Sequence, residues 1–195
     1  LIFFISSSWF LVGSSKNYMK KVLRIVVDVF VKNGDIVSID VGVELHGYHS
    51  DAARTYIVGS VSKEVEDLVE NTKKSLYEGL SKVRAGAKIG DVSHAIEEYA
   101  HKNGLSVVEE LVGHGVGTNL HEDPDVPNFG SAGKGIVLKE GMTIAIEPML
   151  NLGTRHVCMT DQDDWVIVTE DGYPSAHFEH TVLVTKEGYE ILTGE

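Results

Sequence analysis

A chain of 195 residues with 43% hydrophobic content is long enough to bury a full core as one domain. Its formal charge of −12, from 29 acidic against 17 basic residues, argues against a nucleic-acid-binding surface. The single cysteine, Cys158, excludes an intramolecular disulfide and agrees with a reducing compartment; it reads as a small buried strand residue.

The chain opens on an apolar run at residues 1–12, which falls far short of the ~20 residues a membrane-spanning helix needs. No initiating Met or basic stretch precedes it, and Lys16, Lys20, Lys21 and Arg24 come after it, so neither secretion nor a membrane anchor is expected. Residues 36–39 then read as an apolar strand and residues 52–58 as a second one, joined by a hairpin connection centred on Gly47. Asp40 and Asp51 fall on these neighbouring antiparallel strands. A carboxylate inside an apolar strand costs several kcal/mol unless it is paired or coordinates a metal; two solvated aspartates at a hairpin rim are the plainer alternative.

Beyond the hairpin, Val65, Leu68, Val69, Thr72, Leu76, Leu80 and Val83 recur at three- and four-residue steps from Ser62, which can cap a helix, with Gly86 past its end. The charges off that stripe form a solvated face. A second helix is expected over residues 91–102, with Ile96, Tyr99 and Ala100 inward and Gly104 as its stop. His94 and His101 on it read as ordinary exposed or half-buried histidines.

From residue 105 the pattern changes to strands and glycine-rich loops. Gly113-His114-Gly115-Val116-Gly117 lacks the dinucleotide-binding spacing, and its glycines are expected to let the backbone pass close to bound substrate while presenting His114. His121 follows on a loop stiffened by Pro124 and Pro127, where it reads either as a solvated histidine or as a hydrogen-bond donor to a developing oxyanion. Residues 130–135 read as a surface loop. Residues 141–150 are nearly unbroken apolar sequence and should form one central buried strand, so Glu147 within it needs a strong partner. A polar turn at residues 161–164 precedes a strand at 165–168, in which Trp165 would ordinarily be core. Glu179 lies in His177-Phe178-Glu179-His180-Thr181, ahead of Val182-Leu183-Val184. His156, His177 and His180 read as structural, with His180 as the histidine that supports a ligand.

Asp40, Asp51, His114, Glu147 and Glu179 make an oxygen-rich ligand set suited to hard or borderline divalent ions. One dication would leave a formal −2 among four buried carboxylates; two neutralise all four. Such a pair is the usual apparatus for hydrolysing an amide or phosphate bond.

Six stretches carry a more specific signal. They are Ser38-Ile39-Asp40-Val41-Gly42, Tyr48-His49-Ser50-Asp51-Ala52-Ala53-Arg54-Thr55, Gly113-His114-Gly115-Val116-Gly117, Leu120-His121-Glu122-Asp123-Pro124, Gly141-Met142-Thr143-Ile144-Ala145-Ile146-Glu147-Pro148 and Ser175-Ala176-His177-Phe178-Glu179-His180-Thr181. In that order they resemble the type I methionine aminopeptidases, over residues 32–195. The resemblance implies an α+β pita-bread (creatinase/aminopeptidase-like) fold, a curved antiparallel sheet with helices packed on its outer face. It also implies hydroxide attack at a dinuclear centre of Mn, Fe(II), Co or Zn, removing the N-terminal methionine from nascent polypeptides. Asp40, Asp51, His114, Glu147 and Glu179 would be the ligands, Glu147 and His121 the catalytic groups, and Leu120, His121 and Trp165 the substrate contacts. The protein would act as a cytoplasmic monomer, at the ribosome, without binding nucleic acid or membrane.

In the enzymes it resembles, a further helix pair, a pocket strand and a histidine-bearing turn precede the first metal-binding strand, and no histidine precedes His46 here. Residues 1–31 therefore read as a divergent or misread segment, and 32–195 as a catalytic domain incomplete in its N-terminal half. An X-Pro peptidase of the same fold, and a catalytically impaired or non-catalytic binding protein on it, remain open alternatives.

Overall fold

The hairpin forms as its composition requires, in a computed structural model that describes residues 5–6, 30–160 and 163–193. The strands and helices run β1 (Ile5–Ser6), β2 (Ile36–Leu45), β3 (Tyr48–Ile57), α1 (Lys63–Leu80), α2 (Ile89–Lys102), β4 (Ser106–Val107), β5 (Gly113–Gly115), β6 (Glu122–Val126), β7 (Thr143–Ile146), β8 (Met149–Asn151), β9 (Val157–Thr160), β10 (Asp163–Thr169), β11 (Ser175–His177), β12 (His180–Val184) and β13 (Tyr189–Ile191). β2 and β3 pair antiparallel along their whole length, turning at His46 (φ 54°) and Gly47 (φ 82°). Two consecutive positive φ values give the twist that a two-residue hairpin connection needs. Both strands are longer than their apolar cores suggest, so Asp51 lies inside β3 rather than ahead of it.

The remaining strands form a five-stranded sheet in the order β13-β12-β7-β5-β6, a three-stranded sheet β11-β8-β4 and the pair β10-β9. Apart from the parallel contact of β1 with β2, every pairing among the described strands is antiparallel. α1 lies against β3, β8 and β11 and packs along α2. Ser62 caps α1, its side chain accepting from the Val65 amide, and the buried stripe Leu68, Val69, Thr72, Leu76 and Leu80 follows the spacing read from the sequence. α1 ends six residues before Gly86, and α2 starts at Ile89, two residues earlier than expected. The core joins these stripes to Val126, Leu138, Ile144, Ile146, Leu150, Val182 and Val184.

Three expectations are corrected. Residues 141–150 are not one strand: the ladder stops at Glu147-Pro148, where the chain leaves the five-stranded sheet as β7 and re-enters the three-stranded one as β8. Its antiparallel partner breaks at the same level, since Ile146 pairs with His180 and Met149 with His177, leaving Phe178 and Glu179 between β11 and β12. The glycines of β5 face neighbouring strands: a Cβ at Gly113 would collide with the Ala145 carbonyl and one at Gly115 with the Asp123 carbonyl. Cys158 is exposed, on the two-stranded β9–β10 unit, where Met159 beside it is also 64% exposed. Residues 161–162 of the expected polar turn lie outside the described residues, and β10 begins at Asp163.

Leu80 is fully buried between α1 and the sheets, whereas Leu45 is 54% exposed at the hairpin end. Leu80→Ala should cost about 2–5 kcal/mol of unfolding free energy and Leu45→Ala less than about 0.5 kcal/mol, read by urea denaturation. Equal losses would contradict the packing described here.

Candidate metal centre

Side-chain parity on the hairpin brings the first two carboxylates together. Asp40 is opposite Ala53 and Asp51 opposite Gly42, so the two aspartates lie on one face, diagonal to each other, with carboxylate oxygens within 4.8 Å of one another. The absent side chain of Gly42 leaves room for Leu120: a Cβ there would sit 3.1 Å from Leu120 Cδ1 and 3.7 Å from Asp51 Oδ1. Behind Asp51, the Thr181 hydroxyl accepts from the Asp51 amide at 2.9 Å and donates to the Asp51 carbonyl at 2.8 Å.

The other three groups arrive from the level where both long strands break. Glu147 follows β7, and Asn128 Nδ2 donates to its carbonyl at 3.1 Å. Glu179 precedes β12; its amide donates to the Ala53 carbonyl at 2.9 Å, which ties it to the hairpin. His114, on β5 beside β7, has Nδ1 2.9 Å from the Gly115 carbonyl. A carbonyl can only accept, so Nδ1 carries the proton and the Nε2 lone pair faces the pocket. Nε2 stands 3.5 Å from Glu147 Oε1 and 3.9 Å from Asp51 Oδ2.

Ligand atoms of Asp40, Asp51 and Glu179 lie within 4.8 Å of one another, as do those of His114, Glu147 and Glu179. Glu179 belongs to both triads. A third group joins Asp51 and His114 to His121, whose ring centroid is 4.1 Å from that of His114. Asp51, His114 and Glu179 are buried, and His121 is exposed on the pocket's open side. Trp165 lies in β10, but its side chain falls outside the described residues. Sequence reasoning missed His177, whose Nε2 is 3.3 Å from Glu147 Oε2, while His180 instead has Nδ1 3.2 Å from Thr193 Oγ1. One signal was available: in extended chain, residues 177 and 179 face the same side.

The electrostatics show what this donor set requires. Burial, then the neighbouring Asp51, pushes the Asp40 pKa up to about 9. Burial also raises Asp51, and burial together with Glu147, Asp51 and Asp40 raises Glu179 well above the carboxylate range. Glu179 Oε1 is buried without a hydrogen-bond partner. Without positive charge the pocket holds protons; with it, four carboxylates and one imidazole offer a donor set that could hold divalent cations. Partial desolvation lowers the pKa of His121 below its ordinary value, which favours the neutral ring.

A curved antiparallel sheet backed by two helices, with a carboxylate-rich pocket where its strands break, is the pita-bread architecture of metal-dependent peptidases. The profile of metallopeptidase family M24 matches residues 7–186, and the chain belongs to that family. Methionine aminopeptidase 1 of Bacillus subtilis (strain 168) is 51% identical over 163 residues, 84% of this chain and 65% of that protein. The chain thus spans just under two thirds of that relative's length. The crystal structure of methionine aminopeptidase from Rickettsia prowazekii aligns with a TM-score of 0.82 at 44% identity, over 84% of this chain and 66% of that one. Prolidase from Pyrococcus furiosus aligns at 0.67 and 26% identity, over 87% and 44%. Among the described residues no helix is long and apolar enough to cross a membrane.

Because Asp40, Asp51 and Glu179 have raised pKa values in the folded chain, the cation-free protein takes up protons on folding. That contribution is complete below the unfolded carboxylate pKa and is lost as pH rises toward about 9. Chelator-treated protein should therefore melt at progressively lower temperature from about pH 6 to about pH 9. Adding Mn(II) should raise the melting temperature and release protons, seen as a buffer-dependent heat of binding. A chelator-treated melting temperature that rises over this range would contradict the arrangement.

Proposed function

We propose that this chain is a methionine aminopeptidase, removing the N-terminal methionine from nascent polypeptides with the help of two divalent cations. The observation that carries the reading is the convergence of Asp40, Asp51, His114, Glu147 and Glu179 into two triads sharing Glu179. The relatives named methionine aminopeptidase, near 50% identity, support it over the X-Pro alternative, which rests on structures such as the prolidase at 26%. The setting proposed is a cytoplasmic monomer working on N-termini at the ribosome, with residues 32–195 carrying the site; the single cysteine fits a reducing compartment.

Asp40 and Asp51 would hold one cation and His114 and Glu147 the other, with Asp51 and Glu179 between them. When bound, Mn, Fe(II), Co or Zn would supply Lewis acidity and a hydroxide nucleophile at neutral pH. The Glu147 carboxylate takes the proton released as the nucleophile attacks the first peptide carbonyl and returns it to the leaving amide nitrogen. His121, neutral and on the open side of the pocket, donates a ring N–H to the developing oxyanion. Leu120, seated against Gly42 beside Asp51, forms one apolar wall of the side-chain pocket, and Trp165 is proposed as another.

Protein purified anaerobically and reconstituted with Mn or Co should release methionine from Met-Ala-Ser and leave an X-Pro dipeptide intact. Glu147→Ala should lose turnover and weaken cation binding together. His121→Ala should keep the cations and lower kcat by about 10²–10³-fold. Cleavage of the X-Pro dipeptide in preference to Met-Ala-Ser would replace the methionine reading with the proline one.

A further inference from the structure

The carboxylate of Glu147 is bracketed by two imidazoles. Oε1 faces His114 Nε2 at 3.5 Å and Oε2 faces His177 Nε2 at 3.3 Å. The terminal torsion of a glutamate is broad and roughly two-fold, so a carboxylate with neither oxygen held can swivel. A contact at Oε2 decides which oxygen is left facing His114.

His177 is well placed to give that support because its own position is fixed at both ends of the residue. It is 2% exposed, at the end of β11, opposite Met149. The Thr55 hydroxyl donates to the His177 carbonyl at 2.9 Å and accepts from the His177 amide at 2.9 Å. Thr55 has then spent its proton, so Ser38 Oγ, 2.7 Å away, must be the donor to Thr55. The result is a filled chain running from Ser38 and Thr55 on the hairpin, through the His177 backbone, to a ring that meets Glu147. The strand break at Glu147-Pro148 makes such support necessary, because Glu147 sits outside the ladder that orients its neighbours.

We infer that His177 is a positioning residue: its ring holds Oε2 of Glu147 so that Oε1 stays turned toward His114 and the cation pocket. This rests on the metal-dependent reading above, and it concerns orientation of the carboxylate by the ring nitrogen 3.3 Å away. Groups that orient a metal-binding side chain change metal affinity or activity by about 10–100-fold when removed.

The test uses the full chain and two substitutions of similar shape that differ in the donor, His177→Met and His177→Gln. Circular dichroism and thermal melting check folding, and calorimetric titration with Co(II) alone reads cation binding. Steady-state cleavage of Met-Ala-Ser reads kcat and KM separately. His177→Met is expected to bind its weaker Co(II) equivalent about 10–100-fold less tightly and to lose kcat with KM little changed. His177→Gln, which keeps an N–H near the same place, is expected to recover affinity to within about threefold of the parent. Parent-like affinity in His177→Met, or equal losses in both variants, would overturn the inference in favour of simple packing. If His177→Met does not fold, the folded glutamine variant decides alone, and weak binding there overturns the inference. A parent chain that binds Co(II) without cleaving peptide sinks the proposed reaction while the cation affinities still judge His177. A parent that binds no Co(II) sinks both.

Discussion

Four carboxylates in one buried pocket are the constraint on which the rest of this structure depends. Two like charges 4 Å apart repel by about 4 kcal/mol at an effective dielectric of ~20, and the pocket relieves that repulsion in only two ways. It can retain protons, as the raised Asp40, Asp51 and Glu179 show, or it can take up cations. The tautomer of His114, fixed by the Gly115 carbonyl, turns a lone pair toward the same space. The fold brings together groups that repel one another, and the packed core of α1, α2 and the central strands holds them there.

The place where these groups meet follows from strand geometry. A continuous ladder would send alternate side chains to opposite faces and fix each by its neighbours. At residues 147–148 and 178–179 the two adjoining strands leave their ladders at one level, and a glutamate stands at each break. The hairpin contributes the aspartates from within a regular pairing, and the break contributes the glutamates from outside one.

Much of this was legible in the sequence. The hairpin could be read because its strands are β-rich around a glycine turn, and α1 because its buried stripe keeps helical spacing. Asp40, Asp51, Glu147 and Glu179 stood out as carboxylates in apolar surroundings, and the structure brings them together with His114. The strand break was hidden because hydropathy continues across it: Ile144 to Ile146 and Met149 to Leu150 are all buried, though in different sheets. Cys158 misled because Val157-Cys158-Met159 looks like core sequence, while among the described residues β9 pairs only with β10. His177 was invisible as a partner of Glu147 because thirty residues of sequence separate two groups that meet only when the strands align.

The hydroxyls of Thr181 and Thr55 each grip both the amide and the carbonyl of a single residue, Asp51 in one case and His177 in the other. The two grips run in opposite senses, one from β12 onto the hairpin and one from the hairpin onto β11. Together they make a keyed joint with one seating. Sliding the hairpin by one residue turns Asp51 away from the pocket, and sliding it by two puts His49 or Ala53 in its place. Either slip breaks four bonds at once, so the joint indexes the aspartates against the glutamates before any cation arrives.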